Sequence, residues 1–93
     1  MVEEFVVVDG LDMNARAIFV STVTEAINAA AGSSDEAIVL DCSKVTSLDE
    51  GTLGMLALVA RSSQRRGTRL MLHRASRRIR AELEEAGIGH FFD

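Results

Sequence analysis

The sequence contains no proline and no tryptophan, one cysteine, two histidines and no long apolar segment. Because a single cysteine cannot form an internal disulfide, burial of apolar surface has to stabilise the fold. The longest nearly apolar run, residues 53–60, is far shorter than the roughly 20 residues that cross a bilayer. Together with an acidic N-terminus at residues 1–4, these absences predict a cytoplasmic protein without membrane insertion.

Length and composition predict one globular domain. The chain has 93 residues, of which 47% are apolar and 26% charged, as in folded rather than disordered chains. A chain of this length builds one hydrophobic core, so residues 1–93 are assigned to a single domain. Cys42 ends an apolar run, where a thiol packs as a small buried hydrophobe.

Charge is distributed unevenly along the chain, whose net charge is −4. Residues 61–80 contain eight of the ten basic side chains and no acidic one. Clustered arginines attract nucleic acid, but this segment has no aromatic side chain for base stacking, which argues against a nucleic-acid partner. The arginines form either a solvated surface or a basic protein-docking patch. Such a patch would unite Arg61, Arg65, Arg66 and Arg74 with the start of the third helix.

Apolar spacing predicts the first strand and the first helix. Residues 5–8 form a short, partly β-branched run that predicts a buried strand. Within residues 15–30, apolar side chains recur every three or four positions, which predicts an amphipathic helix capped by Asp12 or Asn14. The predicted inward residues of this helix are Ile18, Phe19, Val23, Ala26, Ile27 and Ala30.

The rest of the chain predicts two further strands and two further helices. Residues 37–40 are continuously apolar and too short for a helix, as expected of an interior parallel strand. Asp49 is placed to cap a second helix that ends at Gly67. Residues 68–73 predict a third strand, and residues 76–86 a third helix. The predicted inward residues are Leu53, Leu56, Val59 and Ala60 in the second helix and Ile79, Leu83 and Ala86 in the third.

Strands and helices therefore alternate along the chain, and Gly87 provides the stop of the third helix. Alternation with crossovers of this length predicts an α/β fold with a mostly parallel sheet. The connections are expected to be right-handed, with the helices packed against the sheet.

Residues 39–54 combine an apolar strand, a polar turn and an acidic helix start. They resemble the signature of STAS domains, the family of bacterial anti-sigma factor antagonists. In that signature, a strand ending in Asp-Leu-Ser and a Val lead into Asp-Ser-Ser-Gly-Leu-Gly. Matched residue by residue, Asp49 is the Asp of the signature, and Glu50 takes the position of the Ser that accepts phosphate from a partner kinase. Glutamate cannot accept phosphate, and Gly51 and Thr52 replace the Ser-Gly that follows.

The resemblance covers nearly the whole chain, including the turn at residues 10–12, Gly67, and residues 86–88 near the end. It implies a small STAS-like fold, with a mixed, mostly parallel sheet and alternating helices packed mainly on one side. Residues 1–93 would be a short form of the domain, because the chain stops before the last helix that family members usually carry. The shorter chain would leave apolar surface uncovered, which favours a homodimer or permanent docking.

STAS domains dock their partners on the start of the second helix and on neighbouring loops. The residues that this likeness assigns to partner binding are Asp12, Asp49, Glu50, Gly51, Thr52 and Gly54. Glu50 either stabilises the helix start through the helix dipole or provides a permanent charge that mimics phosphoserine or tunes partner binding. Thr52 and Ser47 are the alternative hydroxyl groups for phosphorylation near the signature.

Asp12, Asp49 and Glu50 could also cluster, because in this fold the turn after the first strand lies beside the start of the second helix. Paired carboxylates can bind a hard cation or act as acid and base. The sequence, however, offers no convincing nucleophile–base pair and no glycine-rich phosphate loop, and His73 and His90 lack metal-ligand spacing. We therefore predict no metal, no cofactor and no enzymatic activity.

The resemblance implies a non-catalytic protein-interaction module. Its partner would be an anti-sigma factor with an ATPase- or kinase-like domain, and its role the regulation of sigma-factor-dependent transcription in bacteria. Because Glu50 replaces the acceptor, phosphorylation at that position would not switch this module. STAS-like subunits also assist ATP-driven lipid or anion transporters, where they need no phosphate acceptor. The alternatives are therefore an accessory subunit of such a transporter or a scaffold in a signalling complex.

Overall fold

Strands and helices alternate in the computed structural model, which describes residues 2–33 and 35–93. In chain order the elements are β1 (Val2–Val6), α1 (Met13–Ala29), β2 (Ala37–Asp41), α2 (Glu50–Arg66), β3 (Arg69–His73) and α3 (Arg77–Glu85), followed by a 3-10 turn at Gly89–Phe91. The predicted order of elements is therefore confirmed.

Each of the three helices begins after a short polar side chain. Asp12, Asp49 and Ser76 each accept a hydrogen bond from the backbone N–H three residues later, which satisfies a donor that has no partner within the helix. The first cap is thus Asp12 rather than Asn14. Gly87, with a φ of 78°, adopts the left-handed conformation expected of a residue just after a helix.

The strands of the described residues form one parallel sheet in the order β1-β2-β3. Each connection leads to the next strand in the same direction across the sheet, from β1 to β2 and from β2 to β3. Because right-handed crossovers in the same direction lie on the same face of a sheet, α1 and α2 are on one face. The two helices pack against each other there. The α/β fold is confirmed, and the sheet that we expected to be mixed is parallel throughout these strands.

The face of the sheet beneath the helices forms the core. Phe5, Leu40 and Leu72 are aligned across the three strands, and aligned residues in parallel strands point to the same face. Leu40 is completely buried, as are Ile27 of α1 and Leu56 of α2. These side chains belong to a single apolar cluster that holds the helices against the sheet.

The prediction of a buried strand at residues 5–8 is wrong in position and in burial. β1 spans Val2–Val6, and its side chains are exposed except for the half-buried Phe5. β1 lies at one edge of the sheet, and of its side chains Phe5 packs against the apolar core cluster. Val7 is fully buried but follows the strand, so the apolar run is divided between β1 and the segment that leads to α1.

Ile18 and Ala86 were predicted to face inward, but the structure exposes both. Ile18 is 59% exposed because it lies about 140° around α1 from the buried Val23, at 100° per residue. Ala86 is exposed because it follows the last turn of α3 rather than lying within it.

Thr68 connects α1 to the start of β3. Its hydroxyl donates a hydrogen bond of 2.9 Å to the backbone carbonyl of Ile27, and both residues are buried. The bond forms because Gly67, with a φ of 67°, ends α2 in a left-handed conformation and turns the chain toward the sheet. A buried carbonyl near the end of α1 thereby acquires a donor from a distant element.

Replacing Thr68 with Val removes this donor while nearly preserving the volume of the side chain. We expect Thr68→Val to lower the free energy of unfolding by about 1–3 kcal/mol, because the Ile27 carbonyl stays buried without that hydrogen bond. Urea denaturation measures the change. Thr68→Ser is the control, since it retains the hydroxyl and should lose less stability; a larger loss in Thr68→Ser would contradict this role.

Candidate partner-binding surface

The carboxylate of Asp49 organises the start of α2. Its Oδ1 atom accepts a hydrogen bond of 2.7 Å from the backbone N–H of Thr52, and the Thr52 hydroxyl also hydrogen-bonds the carboxylate. These bonds hold the pKa of Asp49 below its ordinary value, with further contributions from the backbone N–H of Gly10 and the nearby guanidinium of Arg16. Asp49 therefore carries a fixed negative charge where the turn after β1 meets α2.

Arg16 joins the start of α1 to the start of α2. Its Nη1 atom donates a hydrogen bond of 2.8 Å to the backbone carbonyl of Leu11. The guanidinium also lies against Gly51, where a Cβ atom would overlap it. Gly51 thus leaves room for Arg16, which connects the starts of the two helices. The sequence analysis did not identify Arg16. The feature of the sequence that could have indicated it is its position one turn after the Asp12 cap.

The predicted partner-binding residues differ in their exposure. Asp12, Asp49, Glu50 and Gly54 are exposed, and Gly51 is partly covered. Thr52 is separate from this group, because its side chain is only 1% exposed and its polar groups are directed at Asp49. The exposed members form the outer surface of the first turns of α1 and α2.

Gly54 lies inside α2 and is exposed, although glycine is an unfavourable residue there. Glycine in the middle of a helix lowers stability by roughly 0.5–1 kcal/mol relative to alanine. In the part of the chain that the structure describes, no neighbouring atom lies within 4 Å of the place where a Cβ would be. Packing within the chain therefore gives no reason for this glycine, and the space above it is open to another molecule.

Two grooves flank Gly54, one on each side of α2. The first, of about 680 Å³, lies between α1 and α2, and we call it the α1–α2 groove. It is lined by Met13, Arg16, Ala17, Val20, Ser21, Thr24, Glu25, Gly51, Gly54, Met55 and Leu58. The second, of about 370 Å³, is lined by Glu50, Leu53, Gly54, Ala57, Arg61, Ala86 and Ile88. The outer side of α2 therefore forms a ridge between two grooves. The ridge is lowest at Gly54, which has no side chain.

Glu82 of α3 holds the loop that leads into this surface. One carboxylate oxygen accepts a hydrogen bond of 2.9 Å from the backbone N–H of Leu48, next to the Asp49 cap. The other accepts one of 3.2 Å from Nε of Arg78. The 34 positions between Leu48 and Glu82 explain why no local pattern indicated this contact.

A carboxylate that accepts a backbone hydrogen bond also fixes the end of β2. Oδ1 of Asp41 accepts a hydrogen bond of 3.0 Å from the backbone N–H of Ser43, which is the main reason that the pKa of Asp41 lies below its ordinary value. Cys42 is 1% exposed, and burial raises the pKa of its thiol. The prediction that Cys42 packs as a small hydrophobe is confirmed.

The basic residues of the 61–80 segment lie on either side of β3 in the chain. Arg61, Arg65 and Arg66 lie in the last turns of α2, before β3 begins, whereas Arg74 and the start of α3 follow the end of β3. The five residues of β3 span about 16 Å. The interpretation of a single docking patch that unites these residues stays a prediction.

The residues that the structure describes contain no group of three or more His, Cys, Asp or Glu side chains placed to hold a metal ion. None of their helices is both long enough and apolar enough to cross a membrane.

The family model described as "Mlab, STAS domain" matches residues 11–93, which include α1, α2 and the surface around Gly54. No curated protein matches the chain.

Removing the Glu82 carboxylate tests whether α3 holds the loop before α2. In Glu82→Ala, we expect faster amide hydrogen exchange at Leu48, because its N–H loses its acceptor. Arg78→Ala is the matched control: it removes the other partner of Glu82 and leaves the bond to Leu48. Equal acceleration at Leu48 in both variants would show that the ion pair, rather than the bond to the loop, is responsible.

Proposed function

The chain belongs to the STAS domain family, and we propose that it is a non-catalytic protein-interaction module that docks a partner protein on the start of α2. The observation that carries this proposal is Gly54, an exposed glycine inside a helix with open space above it and a groove on each side. A helix surface with no side chain at its centre lets the backbone of a partner approach closely. Asp12, Asp49, Glu50 and Gly51 complete the proposed surface around it.

We propose further that the partner is an anti-sigma factor with an ATPase- or kinase-like domain, so that the module regulates sigma-factor-dependent transcription in the bacterial cytoplasm. Glu50 stands at the position of the family's phosphate acceptor and is exposed on the first turn of α2. A carboxylate there is favoured by the positive end of the helix dipole and gives the surface a permanent negative charge. Binding would then be controlled by something other than phosphorylation at this position.

The second candidate function is that of an accessory subunit of an ATP-driven lipid or anion transporter. Glu50 favours this candidate as well, because it provides no hydroxyl for a phosphorylation switch and permanent docking needs none. The exposed apolar side chains beside Gly54, Met13 at 78% and Leu58 at 55%, suit an interface that stays covered.

The test of both candidates is recovery of partners from native cells, including solubilised membranes, with the tagged chain. We expect an anti-sigma factor with an ATPase-like domain to be recovered. A transporter ATPase would instead support the second candidate, and recovery of neither would contradict a docking function.

A variant connects the recovered partner to the proposed surface. We expect Gly54→Leu to lose the partner because the new side chain fills the space above α2, while the fold gains stability from a better helix former. Gln64→Leu, which adds the same exposed side chain near the other end of α2, should retain the partner. Unfolding free energies of both variants, measured by urea denaturation, exclude loss of fold as the cause.

Phosphorylation is tested with the recovered kinase-like partner and ATP. We expect the wild-type chain to incorporate no stoichiometric phosphate, because Glu50 has no hydroxyl and Thr52 is buried. Glu50→Ser should become phosphorylated, whereas Glu50→Ala should not. A stoichiometric phosphopeptide at Thr52 or Ser47 of the wild-type chain, identified by mass spectrometry, would contradict the proposal.

A further inference from the structure

We propose that the α1–α2 groove binds an amphipathic helix with a cationic polar face, contributed by the partner protein. This inference rests on the proposed function, since it names the part of the partner that the surface around Gly54 receives. The argument depends on the composition of the groove, on its length and on the charges at its ends.

The walls of the groove are apolar and adaptable. Met13, Ala17 and Val20 of α1 face Met55 and Leu58 of α2 across it. Methionine side chains are flexible and polarisable, which is why they are common in grooves that bind helices. A monomer that exposes Met13 and Leu58 on the walls of one groove has apolar surface suited to burial against another molecule.

The dimensions of the groove suit a helix of about three turns. The α1 residues that line it extend from Met13 to Glu25, which at 1.5 Å per residue is about 18 Å. Small residues lie on both walls, with Ala17 and Ser21 on α1 and Gly54 on α2. Small side chains let a third helix approach closely enough for its apolar residues to reach the floor of the groove.

Acidic side chains lie at both ends of the groove. Glu25 lines one end, and Asp12 directly precedes Met13 at the other end; both are exposed. The positive charge on the walls is that of Arg16, which is bound to Leu11 and adjacent to the carboxylate of Asp49. An apolar helix flanked by lysine or arginine therefore complements this groove, whereas one flanked by acidic residues is repelled.

The same charges argue against two other occupants. In a symmetric dimer formed through antiparallel α1 helices, Glu25 of each copy would approach the acidic end of the other. Anionic lipid or nucleic acid would bring its phosphates against Glu25 and Asp12.

The experiment uses the purified chain and a fluorescein-labelled peptide of about 14 residues, with leucines at helical spacing i, i+3, i+4 and i+7 and lysines elsewhere. Fluorescence anisotropy measures its affinity, and a twin peptide with glutamate in place of each lysine is the control. We expect the lysine peptide to bind and the glutamate peptide to bind at least about tenfold more weakly, a difference of about 1.4 kcal/mol.

Two protein variants separate groove binding from general attraction between opposite charges. Leu58 and Ile18 are exposed to similar extents, 55% and 59%, but only Leu58 is among the residues that line the groove. Both Leu58→Glu and Ile18→Glu add one negative charge, so general attraction would strengthen peptide binding in both. Binding in the groove predicts an affinity about tenfold weaker for Leu58→Glu alone, with Ile18→Glu unchanged or tighter. Circular dichroism confirms that both variants remain folded.

Three outcomes would overturn the inference. These are equal binding of both peptides, an affinity unaffected by Leu58→Glu, and a concentration-dependent dimer in sedimentation that Leu58→Glu abolishes. None of them contradicts the proposed function if partner recovery still depends on Gly54. Conversely, loss of all partners together with specific peptide binding would contradict the proposed function while leaving the groove as a helix-binding site.

Discussion

The carboxylate of Asp49 is the interaction on which the proposed surface depends. It receives the backbone N–H and the hydroxyl of Thr52, the backbone N–H of Gly10 and the nearby charge of Arg16. One side chain thus begins α2 and fixes the turn after β1 against it. Because these donors stabilise the charged form, the pKa of Asp49 stays below its ordinary value, and this junction is held at every pH where the carboxylate is ionised.

The two glycines near the start of α2, Gly51 and Gly54, differ in what surrounds them. Gly51 leaves the space that the guanidinium of Arg16 occupies, and a Cβ there would displace it. Gly54 is open to solvent, and the described part of the chain contains nothing that a side chain at this position would displace. Stability alone would favour alanine at Gly54, so the glycine is better explained by close approach of another molecule. Gly51 is thus explained by a contact within the chain, whereas Gly54 has no such contact among the described residues.

Local patterns predicted the fold well because its elements are amphipathic and clearly ended. The helices α2 and α3 begin after Asp49 and Ser76 and are followed by Gly67 and Gly87. Such ends can be predicted from sequence because capping depends on residues within one turn. The errors occur where burial depends on distant neighbours. The apolar run at residues 5–8 looks like an interior strand, but nothing in it reveals that β1 lies at the edge of the sheet. Ile18 is apolar and suitably spaced, yet it is exposed.

For this protein, the sequence alone determined the order of the elements, the cap of the second helix at Asp49 and the likeness to STAS domains. Each of these depends on residue type and short spacing. Only the tertiary structure decided that Thr52 is buried, that Arg16 lies over Gly51, that Glu82 holds the loop before α2 and that a groove separates α1 from α2. These features arise because folding brings together side chains that are far apart in the chain, and the distances between them are set by packing rather than by any local pattern.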